Sequence, residues 1–424
     1  LMVLMKTRSN LHFKALTSQQ VVLFPSNIGD RIPSNHPVRI VNQVVDSLNI
    51  DDILSGYKGG GSSSFHPRML IKVLFYSYFC NIYSCRKMAH ALQENIHFMW
   101  LSGNSTPDFR TINDFRGKRL KDKIQYLFAE LVRLMADLGY VSLDIQYVDG
   151  TKLESASNRY TFVWKGSTEK NKAKLEEKIT RVLGDIDSSI KQDKAELSLP
   201  VKQHTPVSSA ELKSRIEELN DRLSELNKLQ EKAVRELEKE ALPRLKKYEE
   251  QLKTLGTRNS YSKTDADATF MRMKEDHMKN GQLKPAYNTQ ISTENQFITN
   301  FSIHQRAGDT ATLSLHLEQF KAHYRKQSKK VVADSGYGSE QNYKWMEDNG
   351  IEAFVKYNYF HKEQKRSFKK NVYHASNLTY DAQGDYFICP AGKPMINIGE
   401  AERTSELGYK SKVSHYKTDS CEGC

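Results

Sequence analysis

The sequence contains few cysteines and no apolar segment long enough to cross a membrane. Its 424 residues include 5 cysteines, too few for a disulfide framework, so a disulfide-stabilised secreted protein is not indicated. The most apolar segment, residues 69–85, is interrupted by Lys72 and Asn81, and we interpret it as a buried helix rather than a bilayer span of roughly 18 to 20 residues. The N-terminus is a poor signal peptide, because its short apolar part precedes the positive charges. We therefore expect a cytoplasmic protein without a membrane partner.

Positive charge exceeds negative charge along the chain. There are 63 Lys and Arg against 51 Asp and Glu, a formal net charge of +12, and the pI is about 9.2. This balance favours a polyanionic partner such as nucleic acid. A basic soluble protein without such a partner is the alternative, since charge alone does not identify a partner. The length allows two or three domains with separate cores.

Two short apolar segments each end in an aspartate. Residues 145–148 read as a strand that runs into Asp149 and Gly150, and Val331 and Val332 lead in the same way to Asp334. Each aspartate alone is interpretable as a turn residue or a helix cap. The repetition of the same design in two distant parts of the chain favours one shared site.

Two carboxylates at neighbouring strand ends are suited to binding divalent ions. Hard oxygen ligands favour Mg²⁺ or Mn²⁺, and a pair of such ions promotes phosphoryl transfer. A basic chain with this site is most naturally a nuclease or a strand transferase. Lys152 and Arg159 follow Asp149 closely. Lys152 is a candidate phosphate ligand, although ordinary surface exposure is the favoured interpretation of both.

Residues 37–139 are predicted to form an all-helical domain, after an N-terminal segment of residues 1–36 without a clear pattern. Val38, Val41, Val45 and Leu48 recur at helical spacing, and His36-Pro37 is a helix start. The domain carries basic residues that are candidates for binding DNA phosphates: Arg68, Arg86, Lys87, Arg110, Arg116, Lys118 and Arg119. An ordinary solvated basic face is an equal alternative for any one of them.

Residues 168–256 are rich in Lys, Glu, Leu and Ala and interrupt the rest of the pattern. Apolar residues recur at heptad spacing at Leu212, Ile216, Leu219, Leu223 and Leu226. We expect an antiparallel helical hairpin, or coiled coil, whose second arm is kinked or broken at Pro243. Such an arm is suited to dimerisation or to clamping DNA. A passive insertion is the alternative.

The flanking residues 140–167 and 257–372 are predicted to form one α/β domain with a mixed sheet. The segments 285–291 and 297–303 read as an antiparallel hairpin. A helix over 309–325, a strand at 331–333, a helix over 340–348 and a strand at 351–355 follow. The aspartates then lie at the tips of two strands of this sheet.

Four segments resemble the DDE transposases of bacterial insertion sequences: 66–116 in the helical domain, and 147–170, 284–293 and 331–340 in the α/β domain. The resemblance implies a ribonuclease H-like fold, a metal-bound Asp-Asp-Glu triad, and DNA cleavage and rejoining at terminal inverted repeats. Asp149 matches the first acid and Asp334 the second. The implied partners are element ends, target DNA and further copies of the chain, in a bacterial, nucleoid-associated setting.

The third acid of the triad has no clear counterpart. The resemblance implies a Glu on a helix, whereas Glu400, Glu402, Glu406 and Glu422 lie in a region, residues 373–424, that we predict to be loop. We expect a fragment, impaired in catalysis by the missing carboxylate. The alternative function is a catalytically inactive remnant that binds DNA and oligomerises.

The same C-terminal region contains three of the cysteines. Cys421 and Cys424 form a CxxC pair, and Cys389 is a candidate third ligand of a structural Zn²⁺. Unligated thiols are an equal alternative.

Overall fold

The structure, a computed structural model, describes residues 27–57, 64–193, 208–221, 228–273, 281–405 and 407–421, with side chains omitted at 188–193. The chain divides into two compact units, Leu1–Leu138 and Gly139–Cys424. The first 26 residues of the predicted N-terminal segment lie outside the described residues, as do Leu223, Leu226, Glu406, Glu422 and Cys424. No helix among the described residues is long and apolar enough to span a bilayer.

The first unit is helical, as predicted. Its α-helices are α1 (Pro37–Ser47), α2 (Asp51–Leu54), α3 (Pro67–Phe79), α4 (Cys85–Glu94), α5 (Ile96–Ser102), α6 (Phe109–Asp114) and α7 (Ile124–Asp137). A 3-10 turn at Ile28–Arg31 precedes them, and a π turn at Phe115–Arg119 follows α6. Pro37 and Pro67 each occupy the first turn of a helix, where the missing N–H has no partner to lose. One core joins these helices, with Val45, Ile71, Met88 and Phe98 fully buried.

The second unit is built on a mixed sheet. Its strands are β1 (Ile145–Glu154), β4 (Thr269–Arg272), β5 (Leu283–Glu294), β6 (Phe297–His304), β7 (Lys330–Ala333) and β8 (Glu352–Val355). The order is β4-β5-β1-β7-β8, with β6 also pairing with β5. The pairs β1–β7 and β7–β8 are parallel, and the pairs that β5 makes are antiparallel. A short pair, β2 (Phe162–Trp164) and β3 (Ser260–Ser262), flanks the helical insertion.

The two faces of the main sheet differ in exposure. Helices α12 (Leu313–Tyr324) and α13 (Glu340–Asp348) pack on one face, where Val148 and Val331 are buried. Residues of β1 alternate in burial, so Tyr147 and Asp149 lie on the opposite face. That face exposes apolar side chains, since Tyr147 is 52%, Ile303 57% and Phe354 48% exposed. We call this surface, which includes Tyr147 on the central strand β1 and Ile303 and Phe354 on the outer strands β6 and β8, the open sheet face.

Over its described residues the helical insertion forms three helical segments, so the prediction of a two-armed hairpin is wrong. The first is α8 (Lys165–Asp193) and the second is α9 (Ser209–Asp221). The third runs without a break from α10 (Lys228–Glu236) through a π turn (Leu237–Ala241) into α11 (Leu242–Leu255). The backbone N–H of Ser209 donates to Glu249 at 2.9 Å, which places α9 against α11. Leu212, Ile216 and Leu219 are buried against α8 and α11.

Packing explains this difference. Leu212, Ile216 and Leu219 of α9 pack in one buried cluster with Leu242 and Leu245 of α11, so these apolar residues belong to separate helices and not to one continuous arm. Leu212, Ile216 and Leu219 are consequently buried inside the insertion itself. The π turn directly before Pro243 accommodates a residue that cannot donate a helical hydrogen bond, which agrees with the predicted interruption.

The C-terminal region is a second sheet, so the prediction of loop over residues 373–424 is wrong. After the short helices α14 (Phe360–Glu363) and α15 (Arg366–Lys369), the strands are β9 (Thr379–Asp381), β10 (Tyr386–Ile388), β11 (Pro394–Thr404) and β12 (Lys410–Lys417), in the order β12-β11-β10-β9. Cross-strand hydrogen bonds and ion pairs hold these strands rather than burial. Glu400 and Glu402 lie on β11, where each pairs with a lysine of β12.

Candidate active site

Sheet register brings Asp149 and Asp334 together. Val148 of β1 lies opposite Ala333 of β7 in the parallel pairing, and each aspartate is the next residue. Neighbouring strands of a sheet lie about 4.8 Å apart, so the two backbones leave the last paired position side by side. Both side chains are exposed. The two aspartates therefore lie on neighbouring strands, as predicted, and Asp334 follows the end of β7. The prediction that β1 also ends there is wrong, because β1 continues through Asp149 and Gly150 to Glu154 in its pairing with β5.

Each aspartate is oriented by a hydrogen bond from a nearby amide. Asp149 Oδ1 accepts from the N–H of Gly150 at 2.8 Å, and Asp334 Oδ1 accepts from the N–H of Gly336 at 2.8 Å. Asp334 also caps a 3-10 turn over Ser335–Tyr337. Its expected role as a helix cap and its proximity to Asp149 are thus both present. The cap restricts the carboxylate without burying it.

Gly150 is required by a close approach beneath the site. A Cβ atom at this position would lie 2.7 Å from the hydroxyl of Tyr337 and 2.9 Å from both amide atoms of Gln290. These distances are shorter than any ordinary contact. Gly150 therefore allows Tyr337 to pack directly against the middle of β1.

A buried polar chain runs below the aspartates. The hydroxyl of Tyr337 donates to Oε1 of Gln290, and the Gln290 amide donates to Asn288 Oδ1 at 2.8 Å. The Asn288 amide donates in turn to Asp309 Oδ1 at 2.8 Å. All three residues of this chain before Asp309 are buried, so their hydrogen bonds fix them strongly.

The pKa of Tyr337 depends on its burial and on the negative charges near the site. Burial raises the pKa of Tyr337 well above its ordinary value, and the negative charges of Asp309, Asp149 and Asp334 raise this pKa further. Three carboxylates are therefore near enough to this buried phenol to disfavour its ionisation. Asp309 had been expected only as the start of a helix. Its position between a strand and a helix repeats the pattern of Asp334, and that repetition is the signal in the sequence.

The segment that follows Asp334 is held by Thr310, which precedes α12, and by Asn342 of α13. Thr310 Oγ1 donates to the carbonyl of Gly336 at 3.0 Å. The buried amide of Asn342 donates to the carbonyls of Thr310 and Tyr337 at 2.8 Å and 2.7 Å. Neither Gln290, Asn288 nor Asn342 stands out in the sequence, because isolated amides carry no local pattern. These contacts fix the segment after Asp334 at the edge of the sheet where β7 ends.

A cleft of about 680 Å³ adjoins this edge. Gly308 and Thr310, on either side of Asp309, contribute to its wall, together with Arg306 and the aromatic Trp164 and Phe270. The tip of the β11–β12 hairpin closes the far side, where Ser405 donates to Gln341 at 2.8 Å and Tyr409 to Glu340 at 3.0 Å. Arg403 of β11 also lines the cleft. The cleft thus combines guanidinium groups and aromatic rings.

The basic residues predicted to bind DNA divide into two groups. Arg68 donates to the carbonyl of Leu48 at 3.0 Å, and Arg119 donates to the carbonyl of Gly56 at 2.7 Å. Arg116 donates to the carbonyl of Tyr83, Lys118 pairs with Asp114, and Lys152 donates to the carbonyl of Arg272. These five side chains have structural partners. Arg86, Lys87 and Arg110 are exposed and have no ion pair among the described residues.

The predicted zinc ligands are only partly described. Cys389 lies in a turn where its Sγ accepts from the N–H of Lys393 at 3.4 Å. Lys393 Nζ donates to the carbonyl of Ser420 at 3.0 Å, which places this turn beside the residue before Cys421. Both cysteines are free thiols. Among the residues that the structure describes, no group of three or more His, Cys, Asp or Glu side chains has a metal-binding arrangement.

Two family models match the chain. Residues 26–118 match a transposase domain (DUF772), and residues 258–400 match a transposase DDE domain. The first match covers most of the helical unit. The second runs from β3 into β11 and includes Asp309 and Asp334, whereas Asp149 precedes it. No curated protein and no solved structure matches the chain significantly.

Proposed function

Because the chain belongs to the DDE transposases of insertion elements, we propose that it cleaves and rejoins DNA at the ends of such an element by metal-dependent phosphoryl transfer. One observation carries this proposal, the shared register of Asp149 and Asp334 on neighbouring parallel strands. The wider α/β unit is then the ribonuclease H-like catalytic domain that the resemblance implies.

The two aspartates fit part of the ligand set of a divalent ion. Both are exposed and provide hard oxygen donors, which Mg²⁺ and Mn²⁺ prefer. When bound, a pair of such ions activates the attacking oxygen and stabilises the leaving oxygen. Asp149 and Asp334 would hold these ions, while Tyr337 and Gln290 keep the middle of β1 in place. Asp309 adds negative charge beneath them.

The open sheet face is a candidate location for a third metal ligand, in addition to Asp149 and Asp334. Asp149 lies on this face beside Tyr147, and apolar side chains that are half exposed favour a covering element. An element packed there lies next to both carboxylates and is placed to supply a further one. Glu400 and Glu402 are poor candidates because they pair with lysines on β11–β12.

Cleavage of DNA carrying an element end is the direct test. We expect Mg²⁺- or Mn²⁺-dependent nicking that is lost in Asp149→Asn and Asp334→Asn. Asp348→Asn is the matched control, since that carboxylate is exposed, pairs with Lys344 and lies at the far end of α13. If all four proteins bind the DNA and none cuts it, the chain acts as the inactive DNA-binding remnant, and the proposed activity is refuted for this form.

Two further features are proposed with the activity. Transposition requires two element ends, so we expect the chain to form a homo-oligomer, which light scattering in the presence and absence of DNA would measure. Cys389, Cys421 and Cys424 are proposed as ligands of a structural Zn²⁺. Release of about one zinc per chain on thiol modification would support that site, and zinc-free purified protein would refute it.

A further inference from the structure

The helical unit contains a basic cleft of about 540 Å³ between the start of α4 and the segment from α6 to the following π turn. Arg86 and Arg110 both line it, and both guanidinium groups lie against the ring of Phe109, at 4.8 Å and 5.6 Å from its centroid. The third guanidinium is that of Arg116. Two segments distant in sequence therefore direct three positive charges into one cavity.

The positive charge of the cleft is barely compensated. Asp114 is the one carboxylate on its wall, and this group pairs with Lys118 at 3.0 Å. Asp108 lies near Arg110, and its carboxylate also accepts from the N–H of Thr111 at 2.7 Å. Arg86 has no ion pair among the described residues. Guanidinium groups that lie close together with so little opposing charge repel one another, and a bound anion offsets that repulsion.

The guanidinium groups are already ordered for an anion. Arg116 is fixed by its bonds to the carbonyl of Tyr83 at 2.9 Å and to Asn113 at 3.4 Å. Phe109 restricts Arg86 and Arg110 through cation–π contact, so less side-chain freedom is lost when a ligand binds. The first turn of α4 also faces the cleft at Ser84, has no side-chain cap and contains no acidic residue.

We propose that this cleft binds a phosphate of the DNA backbone, with Arg86 and Arg110 as the principal contacts. Guanidinium groups match phosphate oxygens in a bidentate geometry, and such contacts position a protein on DNA without reading sequence. The proposal rests on the proposed function, since it takes DNA as the substrate. It distinguishes Arg86 and Arg110 from Arg68 and Arg119, whose guanidinium groups hold backbone carbonyls of the unit itself.

Salt-dependent DNA binding by the full chain tests the cleft. Anisotropy of a labelled duplex is measured at several KCl concentrations for the wild type, Arg86→Gln and Arg110→Gln. We expect each substitution to weaken binding to every duplex sequence equally and to reduce the slope of log K against log salt by up to about 0.9. Lys121→Gln removes an exposed charge of the same unit outside the cleft and is expected to leave the slope nearly unchanged.

A second variant distinguishes the effect of the cleft's structure on DNA binding from the effect of net charge. Phe109→Leu keeps an apolar side chain but removes the ring, so we expect weaker DNA binding at unchanged net charge. Thermal melts check that each variant is folded. An unchanged salt slope in both arginine variants, or an equal reduction of that slope in Lys121→Gln, would overturn the proposal that the cleft binds a DNA phosphate. Failure of the proposed cleavage is seen separately, because the wild type then cuts no DNA carrying an element end while its salt-dependent binding, and the loss of it in the arginine variants, persist.

Discussion

The substitution Gly150→Ala tests the packing on which the candidate site depends. The new methyl group would lie 2.7 Å from the Tyr337 hydroxyl and 2.9 Å from the amide of Gln290. Both neighbours are buried, with exposed fractions of 1% and 0%, so neither can move into solvent. Overpacking of this kind costs roughly 1–3 kcal/mol, and we expect the second unit to lose that much stability.

Urea unfolding followed by tryptophan fluorescence measures the loss in the second unit alone. The sequence has 3 tryptophans, and a Trp100→Phe background leaves only Trp164 and Trp345, which both belong to that unit. Gly184→Ala is the control, because we expect it to change the free energy of unfolding in the opposite direction. Nothing lies within 4 Å of a Cβ at this helical glycine, so alanine is expected to stabilise the helix by about 0.5–1 kcal/mol.

A double substitution identifies the clashing atom. Tyr337→Phe alone removes the bond to Gln290 and is expected to cost about 1 kcal/mol. Combined with Gly150→Ala, it also removes the hydroxyl that the methyl group meets. The double variant should therefore be more stable than the sum of the single effects by at least about 0.5 kcal/mol. Unchanged stability of Gly150→Ala, or strict additivity of the two substitutions, would exclude a clash between this methyl group and the Tyr337 hydroxyl.

Two further predictions concern the interior of the same unit. Glu294→Gln is expected to cost about 1–3 kcal/mol in urea unfolding, because the buried carboxylate accepts from the N–H groups of Ser142 and Leu143 at 3.0 Å and 2.7 Å; an unchanged midpoint would contradict this anchoring role. Burial, with the nearby His304 as a smaller cause, lowers the pKa of His316 from 6.5 to about 3, so the unfolded chain binds this proton first as the pH falls. Stability should be fully present above pH 6.5 and be lost towards pH 3 by up to about 1.4 kcal/mol per pH unit. His316→Asn should flatten that slope, although His304, whose own pKa burial lowers, leaves a residual part; an unchanged slope would exclude His316 as its source.

Local patterns predicted the elements that depend on neighbouring residues. Helix starts such as His36-Pro37 and the strands leading to Asp149 and Asp334 are encoded within a few residues of each other. Apolar periodicity, in contrast, shows that α9 has a buried face but not which helix covers it, so the three-helix packing of the insertion was missed. Strands β11 and β12 are exposed on both faces, and they lack the alternation that marks a half-buried strand.

Of the candidate site, the sequence predicted only Asp149 and Asp334, and it placed the end of β1 too early, since this strand continues to Glu154. Asp309 approaches the site through the polar chain of Asn288 and Gln290, which depends on the pairing of β5 with β1. Contacts over such sequence distances leave no local signal. The same limit applies to the helical unit, where only the folded arrangement separates Arg86 from the equally basic but backbone-bound Arg68.

Binding of Mn²⁺ to the protein in the absence of DNA, measured by electron paramagnetic resonance, shows whether Asp149 and Asp334 share a metal site. We expect the wild type and Asp348→Asn to bind Mn²⁺ alike. Asp149→Asn and Asp334→Asn should each weaken binding by at least about tenfold, since each removes a charged oxygen ligand. Equal Mn²⁺ affinity in all four proteins would contradict a metal site shared by Asp149 and Asp334.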